Sequence, residues 1–460
     1  MKYEIFPHQT ADLALADILG PLSHALDLTE GQPKGHCIRC CYIGTRIGDA
    51  IGLAGPEMDD LYYTLLLKDL GCSSNAARIC QIYLADDIRF KRDFKTIDSS
   101  LSSALRFVFA KTGLKENLSD RIRAIVHILQ NGGEIVDDLI ETRCQRGAEI
   151  AGRLGFGPSV RDGIHSLDEH WNGTGRPQGL RGEAIPLAAR IALLAQVADI
   201  FHSGFGSDAA VTEIARRSGG WFDPGLADVF ARLASDPDFW ADLTDPELER
   251  AVLTRGAALK RRALDEDFLD DVAAAFSDVI DAKSSFTADH SNRVTLYADL
   301  IAEELGYLPD RRRWLRRASL LHDLGKLGVS NQILDKPGKL DDDEWRTIRG
   351  HPGAGSDILL RIDAFNDIAP IARHHHERLD GGGYPDRLRA EQLPLDVRIV
   401  TVADVFDALS AERPYRDAMP IEKVFGILAK DTGTAFDAEC VAALRSAMGR
   451  LQSDGRTAGA

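Results

Sequence analysis

The sequence lacks a surplus of positive charge. It holds 55 Lys and Arg against 71 Asp and Glu, a formal net charge of −16. This argues against a broad footprint for duplex DNA or for an anionic membrane surface. A small anionic ligand is still allowed, because a few Arg and Lys at one site suffice. The N-terminus, Met1-Lys2-Tyr3-Glu4-Ile5-Phe6-Pro7-His8, has neither the basic stretch nor the apolar core of a signal peptide. The best candidate for a membrane span, Ile185 to Phe205, is interrupted by Arg190, Gln196 and Asp199 and reads as a buried helix. Cysteine is scarce outside one cluster. Six of the seven fall between Cys37 and Cys144, an odd set that predicts reduced thiols and a cytoplasmic location. Cys37-x-x-Cys40-Cys41 has the spacing of half a zinc site, but no second pair follows it, so buried structural thiols are expected. Convincing runs of alternating strand are also missing; only Ile333 to Leu340 suits a short hairpin.

What is present is a repeat. At 460 residues, 44% hydrophobic and 27% charged, the chain suits two or three globular domains of roughly 150 residues each. Ala25-Leu26-Asp27-Leu28-Thr29 with His36-x-x-Arg39 is echoed by Val279-Ile280-Asp281-Ala282-Lys283 with His290-x-x-Arg293. Leu67-Lys68-Asp69-Leu70-Gly71 is echoed by Leu321-His322-Asp323-Leu324-Gly325. The stretch Asp168 to Pro177 matches His376 to Pro385, Val197 to Phe201 matches Val402 to Phe406, and Phe222-Asp223 matches Phe436-Asp437. The order is the same in both halves, so two homologous domains are predicted. The first copy carries extra residues between Asp69 and Cys144. Residues 1–235 form the first domain, 236–264 a helical connector, 265–450 the second domain and 451–460 a flexible tail. Apolar residues at helical spacing, as in Trp314-Leu315-x-x-Ala318-x-Leu320-Leu321, predict an all-α fold.

The second half concentrates chemistry. Six histidines lie beyond residue 289: His290, His322, His351, His374, His375 and His376. A lone histidine on an apolar helix is more often a satisfied core residue than a ligand. Burying His322 beside Asp323, with Asp404 in another apolar stretch, is costly unless a cation compensates. Imidazole and carboxylate together suit iron, manganese and related ions. So many candidate ligands exceed one tetrahedral zinc site and suit two six-coordinate ions with room for water and substrate. Lys326, four residues after His322, shares its helix face if that helix continues. Arg293, three residues after His290, does likewise. Either could meet phosphate oxygens. Asp380-Gly381-Gly382-Gly383-Tyr384-Pro385 supplies a tight loop stiffened by proline.

These residues resemble the HD-GYP family, a branch of the HD phosphohydrolases. The matching motifs are His322-Asp323-x-Gly325-Lys326, His375-His376-Glu377-x-x-Asp380-Gly381-x-Gly383-Tyr384-Pro385, His290-x-x-Arg293-Val294, and Ala403 to Leu409 followed by Arg413-Pro414-Tyr415-Arg416. The resemblance implies tandem HD-type helical domains and hydrolysis of cyclic di-GMP to the linear dinucleotide or GMP. It also implies a metal centre of His290, His322, Asp323, His351, His375, His376 and Asp404, with Asp323 bridging the ions. Lys326 and Arg293 would contact phosphate, and Gly383-Tyr384-Pro385 would shape the pocket and meet protein partners. Phe286 stands where members with a third metal tend to carry Glu, which favours two ions, iron or manganese. In the first copy His36, Asp69 and Asp199 survive, while Lys68, Cys144, Leu167, Asp168 and Arg176 replace the corresponding motif residues. That copy is expected to be regulatory or dimerising, so a homodimer is among the expected assemblies. The alternatives are a nucleotide-binding pocket in the first copy, a metal held there by Cys144 and Asp168, a different phosphate ester as substrate, and a silent cyclic-dinucleotide sensor.

Overall fold

A computed structural model describes residues 14–97, 100–258, 265–284, 289–412 and 417–453. Phe286, the segment Arg413 to Arg416 and the end of the expected tail lie outside the described residues. The architecture is all-α: among the described residues there are only helices and isolated bridges. Ile333 to Leu340 forms no hairpin; the helix Asn331–Leu334 opens that stretch instead. No helix among the described residues is long and apolar enough to cross a membrane.

The chain divides into two compact units. One runs to Asp265 and takes in Ser330–Gln332, and the other holds the remainder from Glu266 onward. The expected connector is not separate. Its helices Pro237–Thr244 and Leu248–Ala258 belong to the first unit, where Tyr62 donates to the Val252 carbonyl (3.2 Å) and Arg255 pairs with Asp49 (2.7 Å). Buried Phe239, Leu243, Leu248 and Val252 explain this, because their apolar faces need a partner.

In the second unit the helix Glu266–Asp281 buries Phe268, Leu269, Val272, Phe276, Val279 and Ile280 at helical spacing. Each such side chain stabilises the fold by about 1.5–3 kcal/mol. Leu395–Ser410 is apolar on most of its circumference and runs through the core, burying Val397, Ile399, Val400, Val402, Ala403 and Phe406. Around it pack His290–Glu304, Ala369–His374, Ile421–Lys430 and Ala438–Ser453, with Pro309–Leu321 against the first two of these. The scaffold points helix ends toward one place. His290 and His351 each open a helix, His322-Asp323 follows the helix ending at Leu321, and His375 follows the one ending at His374.

Two expectations of register change. The helix bearing Leu321 does not continue to Lys326; a 3-10 turn, Leu324–Gly328, intervenes. The second concerns the repeat. Arg190 pairs with Asp223 (2.8 Å) as Arg398 pairs with Asp437 (2.9 Å). Counting along both helices from these arginines sets Asp199 level with Asp407 and Gln196 level with Asp404. The shared Val-Ala-Asp-x-Phe string is displaced by about one helical turn, which keeps the same face inward and so imitates a match. Similarly, Gly71 presses on the Arg143 carbonyl and Gly147, as Gly325 presses on the His351 carbonyl and Gly355. Arg143, not Cys144, therefore stands at the position of His351.

Candidate metal centre

The second unit brings all seven expected ligands together in two groups. Asp323, His351, His375 and His376 form one, and His290, His322 and Asp404 form the other; within each group one ligand atom per residue lies within 4.8 Å of the others. Asp323 serves both. Its Oδ1 faces His351 Nε2 (3.2 Å) and His375 Nε2 (3.6 Å), while its Oδ2 faces His290 Nε2 (3.4 Å) and His322 Nε2 (3.3 Å). Asp404 divides in the same way, with Oδ1 toward His290 Nε2 (3.4 Å) and Oδ2 toward His376 Nδ1 (3.9 Å).

The ring orientations are fixed from behind. Nδ1 of His322 meets the Ser319 carbonyl (2.6 Å), that of His351 the Ile348 carbonyl (2.7 Å), and that of His375 the Ala372 carbonyl (2.9 Å). His290 Nδ1 meets Asp407 Oδ2 (2.7 Å). A carbonyl can only accept, so Nδ1 carries the proton and Nε2 offers its lone pair inward. Three inward atoms, His290 Nε2, His322 Nε2 and Asp323 Oδ1, are buried without a hydrogen-bond partner. Orphaned buried polar atoms are costly, and here they converge. This donor set fits divalent cations of the iron and manganese type.

Electrostatics agree. Burial lowers His351 to about 4 despite Asp323, so this ring is neutral and able to ligate near pH 7. His376 lies well below the usual imidazole range, through burial and the neighbouring His375. Burial opposes protonation of His290, but the facing carboxylates of Asp323, Asp404 and Asp407 push it up to about 10. A cation binding at its Nε2 must displace that proton, which makes metal uptake favour higher pH.

The two cationic residues have different surroundings. Lys326 Nζ lies 2.5 Å from Asp323 Oδ2, and its side chain is 21% exposed, so it stands at the rim of the centre. Arg293 is turned toward Asp407 (Nε to Oδ1 2.6 Å, Nη2 to Oδ2 3.1 Å). It braces the carboxylate that orients His290. His374 stays outside the cluster and meets Asp386 (3.0 Å).

Around Gly383-Tyr384-Pro385 the chain is organised by Glu377. Its carboxylate accepts from the backbone N–H of Asp386 (2.7 Å), Arg387 (2.9 Å) and Leu388 (3.1 Å). The Tyr384 ring packs on His376 with centroids 4.9 Å apart, and a Cβ on Gly383 would lie 2.5 Å from Arg378 N. The expected site did not include Glu377 or Asp407. For Glu377 a signal was available: Glu169 stands at the same place in the first copy, where it accepts from Gln178 (2.6 Å) and Leu180 (2.9 Å).

In the first unit, fixed cations take up the space of a metal centre. Lys68 bonds Asp69 and lies 3.0 Å from His36 Nε2; Lys95 bonds Glu30 and lies 3.8 Å from Asp69; Arg143 pairs with Asp168. Burial would depress Lys68, but the Asp69 carboxylate holds it well above its ordinary range. His36 Nδ1 bonds Asp199 (2.6 Å), and Arg39 braces Asp199, reproducing the His290–Asp407–Arg293 arrangement. Cys144 Sγ lies 3.8 Å from Asp168, whose charge is already met by Arg143. Cys37, Cys40, Cys41 and Cys144 are buried free thiols.

Comparison with known proteins gives the same picture. The HD domain family pattern matches residues 124–226 and 274–440. The chain is 50% identical over 440 residues to 3'3'-cGAMP-specific phosphodiesterase 3 of Vibrio cholerae serotype O1, with 96% of each covered. It is 40% identical over 175 residues to the cyclic di-GMP phosphodiesterase response regulator RpfG of Xanthomonas campestris, covering 38% of this chain and 46% of that one. A crystal structure of a cyclic GMP-AMP specific phosphodiesterase from V. cholerae superposes with a TM-score of 0.66 at 45% identity, covering 96% of this chain and 99% of that one. The chain belongs to the HD-domain family, and its motifs place it in the HD-GYP branch.

Proposed function

We propose that the second unit is a metal-dependent phosphodiesterase of cyclic dinucleotides, with 3'3'-cGAMP as its preferred substrate. The observation that carries the chemistry is Asp323, whose two oxygens face two separate groups of inward-pointing imidazoles. Two divalent ions held there, iron or manganese by donor type, would supply an acidified water and neutralise phosphoryl charge. The residues do the rest. His322, His351 and His375 are locked by backbone carbonyls, which keeps the centre preorganised. Lys326 at the rim can leave Asp323 for a non-bridging phosphate oxygen. Tyr384 walls one side beside His376. Hydrolysis adds water across one P–O3′ bond, leaving a 5′-phosphate and a 3′-hydroxyl.

The substrate choice is supported by likeness over nearly the whole chain, both units included, to a protein named for 3'3'-cGAMP. Cyclic di-GMP is the second reading. Relatives named for it match about two-fifths of this chain, among them the Xanthomonas protein and one from Thermotoga maritima that is 36% identical over 180 residues. A silent sensor is disfavoured, because the first unit shows what loss of ligands looks like and the second unit retains the full set.

The test is anaerobic purification with iron or manganese, incubation with each dinucleotide, product separation and metal counting on one sample. We expect two ions per chain and linear product from 3'3'-cGAMP at least about tenfold faster than from cyclic di-GMP. The reverse preference would establish the second reading. Metal without cleavage of either would refute the enzyme.

A further inference from the structure

The first unit extends one helix of the repeated scaffold: from Arg143 onward it answers to His351–Leu359, but the turns before that have no counterpart. Leu118–Arg153 spans 36 residues, and no comparable helix occurs between Asp323 and His351 among the described residues. One face is accounted for: Ile128, Ile135 and Leu139 join Ile79, Tyr83, Phe90 and Phe107 in a hydrophobic cluster. The adjoining face is not. Leu118 (72%), Ile122 (52%), Val126 (45%) and Leu129 (47%) are all exposed, and half-buried Val136 and Ile140 continue the line past Gly133. The spacing of 118, 122, 126, 129, 133, 136 and 140 is that of a helix-pairing seam. Scattered exposed apolar residues need no explanation, but a continuous stripe about 33 Å long does.

We propose that this stripe is the interface of a homodimer, formed by two copies of the helix packed antiparallel about a two-fold axis at Leu129. Three features favour a second copy. The stripe is self-complementary about that residue: Leu118 falls against Ile140 of the other copy, Ile122 against Val136, Val126 against the Gly132–Gly133 pair, and Leu129 against itself, as an isologous contact requires. Gly132 and Gly133 are unfavourable relative to alanine in a helix interior. A Cβ on either would meet nothing within 4 Å inside the chain, so the chain itself gives no reason for them, whereas a facing Val126 does. Charge also matches. Arg123 and Glu134 are exposed on the same flank of the stripe, and the antiparallel register sets each against the other in the second copy. Arg123 meets Asp120 of its own helix at 3.0 Å, an exposed pair of little worth that leaves the guanidinium available. The chain's net charge of −16 disfavours an anionic membrane as occupant.

The test is the mass of the full chain by sedimentation at micromolar concentration. We expect twice the chain mass for the unaltered protein and a single-chain mass for Leu129→Asp, with unchanged circular dichroism because Leu129 is outside the core. Arg123→Glu and Glu134→Arg should each weaken the dimer at least tenfold, and the double variant R123E/E134R should restore it. A monomeric unaltered protein would overturn the proposal, as would a dimeric Leu129→Asp or a double swap that fails to rescue. Binding of a monomeric chain to phosphatidylglycerol vesicles would overturn it in favour of a lipid surface.

Discussion

Asp407 shows how much of the centre depends on residues that do not face it. It accepts from His290 Nδ1 and from Arg293, and so fixes which nitrogen of His290 points inward. An amide at this position loses the charge and specifies the tautomer less strictly. Asp407→Asn should lower metal affinity roughly 10–100-fold, with turnover recovering as metal is added; a titration followed by activity separates this from a lost catalytic group. Unchanged affinity would remove Asp407 from the positioning role. The equivalent first-unit trio, His36, Asp199 and Arg39, keeps the brace, although Lys68 has replaced the histidine beside it. This explains why His36 and Asp199 survive there without a complete ligand set: the brace ties two helices whatever it faces.

Between elements, the decisive contact is Gly325. A Cβ there would overlap the His351 carbonyl and lie 2.7 Å from Gly355 N. Only glycine lets the turn carrying His322 and Asp323 approach the helix His351–Leu359. Gly325→Ala should separate the two ligand groups. We expect loss of about 1–3 kcal/mol of stability from overpacking, and of metal retention at one group before the other. Thermal unfolding and metal counting together test this; a variant with native metal content would show that the turn can yield. Gly71 makes the same approach to Arg143 and Gly147. That conserved geometry, more than the sequence strings, sets the two units in register.

Over the whole molecule, one unit is arranged to receive cations and the other supplies its own. Lys68, Lys95 and Arg143 offset Asp69, Glu30 and Asp168 from within, so an external ion gains little there. The full chain carrying Asp323→Ala should therefore retain no stoichiometric metal and no phosphodiesterase activity. Elemental analysis of that variant is the check: one tightly held ion would mean that the first unit binds metal despite its internal cations. Asymmetry of this kind makes the first unit free to serve assembly, consistent with its extended helix.

Much of this could be read from the residues alone. Helical periodicity and the missing strands determined the fold class, and the ordered repeat determined that there are two related halves. The crowding of His and Asp in apolar helices pointed to a metal centre, because burying so many ionisable groups has few solutions, and the family resemblance implied which seven would form it. Tertiary structure decided the rest. It set Asp199 level with Asp407, since a shift of one helical turn is nearly invisible in sequence but moves a carboxylate by about 5.4 Å. It turned Arg293 to a carboxylate and ended the helix before Lys326. It also folded residues 236–258 into the first unit, where distant apolar partners, unseen by any local pattern, covered them.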